Sequence, residues 1–126
     1  PFIGAFFSGV LCNALVCMAI WMATAGRSVV DKALAIVFPI SAFVAAGFEH
    51  SIANLYLLPY ALAIKAWAGP QFWEAIGHTA AAFPQLTVAS ALHNIVVATL
   101  GNLVGGSMMV GAVYWFVYLR RLSGAR

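Results

Sequence analysis

The sequence predicts an all-α membrane protein, and three observations carry that prediction. The chain of 126 residues is 64% hydrophobic and 7% charged, with a mean hydropathy of +0.99, which is the composition of a polytopic membrane protein and not of a soluble domain. Its few charges, Glu49 apart, stand between long apolar runs rather than within them. One polar cluster, Gly47-Phe48-Glu49-His50-Ser51-Ile52-Ala53-Asn54, lies mid-way between Lys32 and Lys65, with sixteen residues free of Asp, Glu, Lys and Arg before it (33–48) and fourteen at and beyond its end (51–64). Neither flank fills a bilayer core of about 30 Å, which takes about 20 helical residues, so the two read as halves of one helix broken at mid-membrane. Transporters place binding sites at such breaks.

The first apolar run, residues 1–26, reads as a membrane helix over about 2–25. It ends in Ala23-Thr24-Ala25, but it has no charged lead and is too long for the apolar part of a signal peptide. Because the chain begins at Pro1 rather than Met, already inside an apolar run, it is expected to be part of a longer protein. Gly26, Arg27, Ser28, Asp31 and Lys32 mark a short charged turn. The broken helix follows over about 33–48 and 53–67, with Pro39 kinking the first half, Gly47 free to take the left-handed conformation that ends a helix, and Pro59 in the second. Trp67, Phe72 and Trp73 mark a membrane interface, and Gly69-Pro70 opens a short amphipathic helix to about Gly77. The uncharged run from Val88 to Arg120 exceeds one span, so a short lead-in is expected before Thr99 and a last helix over about 99–119. That helix carries Gly101 and Gly105 as a GxxxG pair, which lets backbones approach closely, and Tyr114, Trp115 and Tyr118 as an interfacial belt.

The net charge of +3 lies at helix ends and forms no basic stripe, so no nucleic-acid partner is expected. Arg27, Lys32, Arg120, Arg121 and Arg126 belong in the cytoplasm by the positive-inside rule and the stretch 65–86 outside, giving three crossings. Cys12 and Cys17 are five apart, on different helix faces, and suit small buried thiols better than a metal or disulfide pair.

His50 carries the sharpest chemistry, because an ionisable group at mid-membrane is costly and commonly functional; the plainer alternative is an interhelical hydrogen bond. If the second half-helix starts near Ser51 to Asn54, its N–H groups and positive dipole end favour an anion beside His50, which could hand the anion a proton. A bare carboxylate at Glu49 would repel that anion, so Glu49 is expected to point away and to accept backbone N–H bonds at the break. Asn54 is expected to hold the break together. Asn13 and Asn102 either join helices or line a polar path. Phe43, seven residues before His50, shares its face and is either core or a hydrophobic constriction.

Three stretches together, Cys12-Asn13-Ala14-Leu15-Val16-Cys17-Met18-Ala19-Ile20-Trp21, Gly47-Phe48-Glu49-His50-Ser51-Ile52-Ala53-Asn54 and Gly101-Asn102-Leu103-Val104-Gly105-Gly106, resemble the signatures of the formate/nitrite transporter family in order and spacing. The connection through Arg27 to Lys32 and the Phe72-Trp73 loop look most like its formate channel branch. The resemblance implies an aquaporin-like bundle of six helices in two inverted halves, a homopentamer with a pore in each protomer, in a bacterial inner membrane with a cytoplasmic C-terminus. This chain resembles the second half. On that likeness His50 is similar to the central pore histidine and Glu49 to its neighbour, Asn13 and Asn102 to pore-facing polar residues, and Val16 and Phe43 to the apolar constriction.

The function implied is passage of formate and related small monovalent anions, with nitrite or hydrosulfide as alternative cargo and no cofactor or metal. A different class, a haem-binding electron-transfer subunit using His50 and His93, lacks a second histidine at matching depth. An enzyme is not expected: Glu49-His50 does not have the H-E-x-x-H spacing of a metallohydrolase, and no Ser/His/Asp set is evident.

Overall fold

The computed structural model describes residues 2–120, in the order α1 (Phe2–Ala25), α2 (Val29–Ala45), α3 (Ser51–Trp67), α4 (Pro70–Ala75), a single tight turn at Ala80–Ala82, and α5 (Val88–Leu103). The helix of α5 runs on through Val104–Ala112 and Trp115–Leu119 in a wider, π-type winding. Among the described residues there is no strand. Arg121 and Arg126, two of the basic residues invoked for orientation, lie outside the described residues.

Each boundary has a local cause. Ser28 starts α2 four residues before the expected 33: its Oγ accepts the Asp31 N–H at 3.1 Å and the Asp31 carboxylate accepts the Ser28 N–H at 2.9 Å, two orphan donors satisfied reciprocally. The same carboxylate accepts the Arg27 N–H at 3.1 Å. These bonds, the one from the Ser28 backbone first, hold the Asp31 carboxyl below the usual carboxylate range. At its other end α2 stops at Ala45 instead of 48, because Gly47, at φ 65°, turns the chain left-handed. Phe48 N–H then reaches back to Phe43 O and Gly47 N–H to Val44 O, each at 3.0 Å, so the last carbonyls are closed by backbone alone. Gly77, at φ 67°, ends α4 in the same way, with His78 N–H on Trp73 O and Gly77 N–H on Glu74 O, each at 3.1 Å.

The lead-in expected before Thr99 does not exist as a separate element. Helix begins at Val88, eleven residues early, and one continuous 32-residue helix runs to Leu119. The reason is a second reciprocal cap: Ser90 N–H donates to Thr87 Oγ1 at 3.1 Å and Thr87 N–H to Ser90 Oγ at 3.0 Å. At about 1.5 Å per residue the whole helix spans about 48 Å, so its first turns stand beyond a bilayer core of about 30 Å unless it tilts. α1 and this long helix are each long and apolar enough to cross a membrane. α2 and α3, seventeen residues each, are shorter than that, and the break at residues 46–50 separates them.

Packing follows the small residues. α1 lies against α2, α5 and the π-wound continuation, while α3 packs on α5. A methyl group on Gly101 would run into the carbonyl oxygen of Phe6, and one on Gly105 into that of Val10, so the two backbones are in direct contact where the GxxxG pair faces α1. The winding widens from the next turn. There the Ser107 hydroxyl donates to the Leu103 carbonyl one turn back, the kind of side-chain competition that disturbs an α-helical ladder. Large apolar side chains such as Val29, Phe38 and Trp67 point outward, the last two 72% and 83% exposed, as lipid-facing or partner-facing surfaces require. Near the end of α3, Lys65 Nζ donates to Phe83 O at 2.7 Å and Leu86 O at 2.8 Å, tying the 83–86 loop to that helix.

Candidate functional site

Breaking a helix in a membrane leaves backbone N–H and C=O groups that lipid cannot satisfy, so the first question at residues 46–50 is where those groups go. Side chains from two other helices answer it. Ser8 on α1 accepts the Glu49 N–H at 2.9 Å through Oγ. Asn102 on α5 supplies four more bonds: its Oδ1 accepts the Ser51 N–H and the Ser51 hydroxyl, each at 3.1 Å, and its Nδ2 donates to Glu49 O and Gly9 O, each at 3.0 Å. Two donors and two acceptor directions are all that a carboxamide has, and all four are used. Asn102 is buried at 7% exposure, and its own carbonyl accepts from Asn13 Nδ2 at 2.6 Å. Asn13 and Asn102 therefore meet each other, and Asn102 joins α1, the break and α3 at one point.

His50 is the N-cap of α3. Its backbone is extended, and its Nδ1 accepts the Ala53 N–H at 3.2 Å, so in the neutral ring the proton sits on Nε2. Any second proton would fall on Nδ1 and displace that cap. Phe43 lies flat against the ring, centroids 5.6 Å apart and planes 21° from parallel, which brings together two residues the sequence placed on one face. Val16, one turn beyond Cys12 on α1, is half-buried. The Ser51 and Ala53 N–H groups at the start of α3 are already engaged, by Asn102 and His50. What the break offers an anion includes the dipole end of α3 and the Nε2–H of His50.

Glu49 departs from expectation in one respect. Among the described residues its carboxylate accepts no backbone N–H; instead Oε2 accepts from Asn54 Nδ2 at 2.5 Å. The Glu49, Ser51 and Ala53 N–H groups are engaged by Ser8, Asn102 and His50. The other hydrogen of the Asn54 amide goes to Asn94 Oδ1 on α5, at 2.7 Å. Ser8 and Asn94 are polar members of the cluster that the sequence reading passed over. The signal for Asn94 was a polar side chain eight residues, about two turns, before Asn102 and hence on a similar helix face.

The sequence model of the Formate/nitrite transporter family matches residues 1–116. The chain belongs to the formate/nitrite transporter family. Among relatives of the formate/nitrite transporters, it is 46% identical over 120 residues to "Formate channel FocA" of Escherichia coli (strain K12), covering 94% of this chain and 42% of that protein. It is 42% identical over 118 residues to "Nitrite transporter NirC" of the same strain, covering 92% of this chain and 37% of that one. A solved structure described as "Pentameric formate channel with formate bound" superposes with a TM-score of 0.85 at 42% identity, over 94% of this chain and 47% of that one. The helical fold expected of a formate/nitrite transporter is therefore present, and this chain spans about two fifths of the length of the curated relatives it matches.

Proposed function

We propose that this chain forms one wall of a membrane passage for small monovalent anions, chiefly formate, within a homopentamer in a bacterial inner membrane. His50 is the group the anion meets at mid-depth. The observation that carries the reading is the geometry of that ring: Nδ1 is held by Ala53 N–H, so the remaining N–H, on Nε2, is a fixed donor at the positive end of α3. Phe43 stacked on the ring, with Val16 on α1, supplies an apolar constriction that strips water from the anion as it approaches. Asn102 and Ser8 hold the break, Asn13 braces Asn102, and Asn54 holds the Glu49 carboxylate. The likeness to a structure described with formate bound supports formate over nitrite, and the likeness to a nitrite transporter keeps nitrite as alternative cargo. No catalytic step belongs to this reading.

The test is uptake of formate into liposomes carrying the complete transporter, wild type beside His50→Gln, across a pH series. If His50 takes up a proton at Nδ1, releasing the Ala53 N–H, and gives its Nε2 proton to the anion, the ring returns to neutral with each transfer and flux of a weak acid depends on external pH. His50→Gln should remove that dependence while a strong-acid anion passes as well as before. Assembly is checked by size-exclusion chromatography. An unchanged pH profile in a correctly assembled variant would reduce His50 to a helix cap.

A further inference from the structure

The Glu49 carboxylate is the unsolved electrostatic problem of an anion passage, since it sits one residue from His50 and carries the charge of the cargo. Its side-chain bond is to Asn54, and Asn54 has a second bond. A primary amide can face a carboxylate in two ways, N–H first or C=O first, and only the first is attractive. Two oxygen acceptors, Glu49 Oε2 at 2.5 Å and Asn94 Oδ1 at 2.7 Å, take both hydrogens of Asn54 Nδ2 and so fix the amide the attractive way round. Asn94 stands on α5, eight residues before Asn102, the residue that fixes the backbone of the same break. One helix thus sets both the backbone of the break, through Asn102, and its charged side chain, through Asn94.

We propose that Asn94 is a positioning residue of the anion passage: by locking the Asn54 amide it holds the Glu49 carboxylate toward α5, away from the anion beside His50. The inference rests on the anion-passage reading above. Asn94 touches no cargo; it acts through the placement of a charge. Without it the Asn54 amide keeps one partner, is free to turn its carbonyl to the carboxylate, and releases Glu49 to swing into the path, where it repels the cargo at close range in a poorly screened site.

This mechanism has a signature that a merely structural role lacks, because removing the charge removes the reason for the lock. The experiment measures maximal formate flux per assembled oligomer in liposomes carrying the complete transporter. Four proteins are compared: wild type, Asn94→Leu, Glu49→Gln, and the double variant. Asn94→Leu should lose about tenfold in flux, the order expected when a buried polar pair is left half-made. In the Glu49→Gln background the same substitution should change flux by less than about twofold, because a neutral amide at 49 does not repel the anion. Should Asn94→Leu fail to assemble, Asn94→Ala replaces it, a smaller side chain that offers no acceptor for the second Asn54 hydrogen. Flux unchanged by either substitution overturns the proposal, as does an equal loss in the presence and absence of the Glu49 charge. A wild-type protein that passes no formate would instead overturn the anion-passage reading, and this inference with it.

Discussion

A single carboxamide can decide whether a broken helix is tolerable in lipid. Asn102 fills all four of its hydrogen-bonding directions with the backbone of α1, the backbone of the break and the Ser51 hydroxyl. Replacing it by Leu keeps the volume and orphans several buried groups at once, each at a cost of about 1–3 kcal/mol. Asn102→Leu should therefore lower the yield of assembled protein and its thermal transition in detergent, whereas Asn102→Asp, which retains Oδ1 but loses Nδ2, should fall between; equal behaviour of the two would show that the Nδ2 bonds carry the cost. The polar members of this cluster, Glu49, His50, Asn54, Asn13 and Asn102, were legible in the sequence because polar side chains stand out in apolar surroundings, while their pore roles came only from the family resemblance. Their partners were not legible. Ser8 is common enough in membrane helices to pass unnoticed, and Asn94 fell in a stretch read as a lead-in, so which donor meets which acceptor awaited the packing of α1 and α5.

Elements began and ended where small local devices put them. Gly47 was readable as a helix stop, since only a residue without Cβ turns left-handed at no cost. The start of α5 was misplaced because Thr87-Val88-Ala89-Ser90 is a weak variant of the usual S/T-x-x-E box, and hydropathy alone does not separate a span from its extension. The widening beyond Leu103 left no sequence signal apart from Gly105, Gly106 and Ser107. Two outcomes follow at this scale. Gly105→Val should separate α1 from α5, because the space it needs is held by the Val10 carbonyl; overpacking of this kind costs about 1–3 kcal/mol, read as a lower thermal transition, with Gly4→Val, which meets nothing, as control. At the α1–α2 turn, Asp31 has its carboxyl held below the ordinary value of about 4, so its cap is present above that pH and is lost as pH falls through the lower folded value. Amide exchange at Arg27 and Ser28 should accelerate, relative to intrinsic rates, in that acidic window, and in Asp31→Asn the acidic step should vanish.

For the whole molecule, the charges at the two ends of the bundle set an expectation of orientation. Arg27, Lys32 and Arg120 lie at one end of the crossings and Lys65, tied to the loop carbonyls of Phe83 and Leu86, at the other. A reporter fused after Arg126 should be cytoplasmic and a tag inserted between Gly77 and Pro84 external; labelling of both from one side by an impermeant reagent would break the three-crossing reading. Within this chain His50 and Glu49 remain partly exposed, and on the three-crossing reading lipid would offer them no partner. The 126 residues alone should accordingly conduct no formate, and His50-dependent flux through them in liposomes would show otherwise. The long-range bonds of Asn102 also impose an order on synthesis. The break at Glu49 and Ser51 is made 53 and 51 residues before the side chain that completes it, and Gly9 waits 93. At about 5–20 residues per second the nascent chain holds an unpaired break for about 3–10 seconds. Open backbone groups are costly in hydrocarbon, so the half-helices are expected to stay in a wet or protein-lined compartment until α5 arrives, with α1, α2 and α3 entering the bilayer together rather than one at a time.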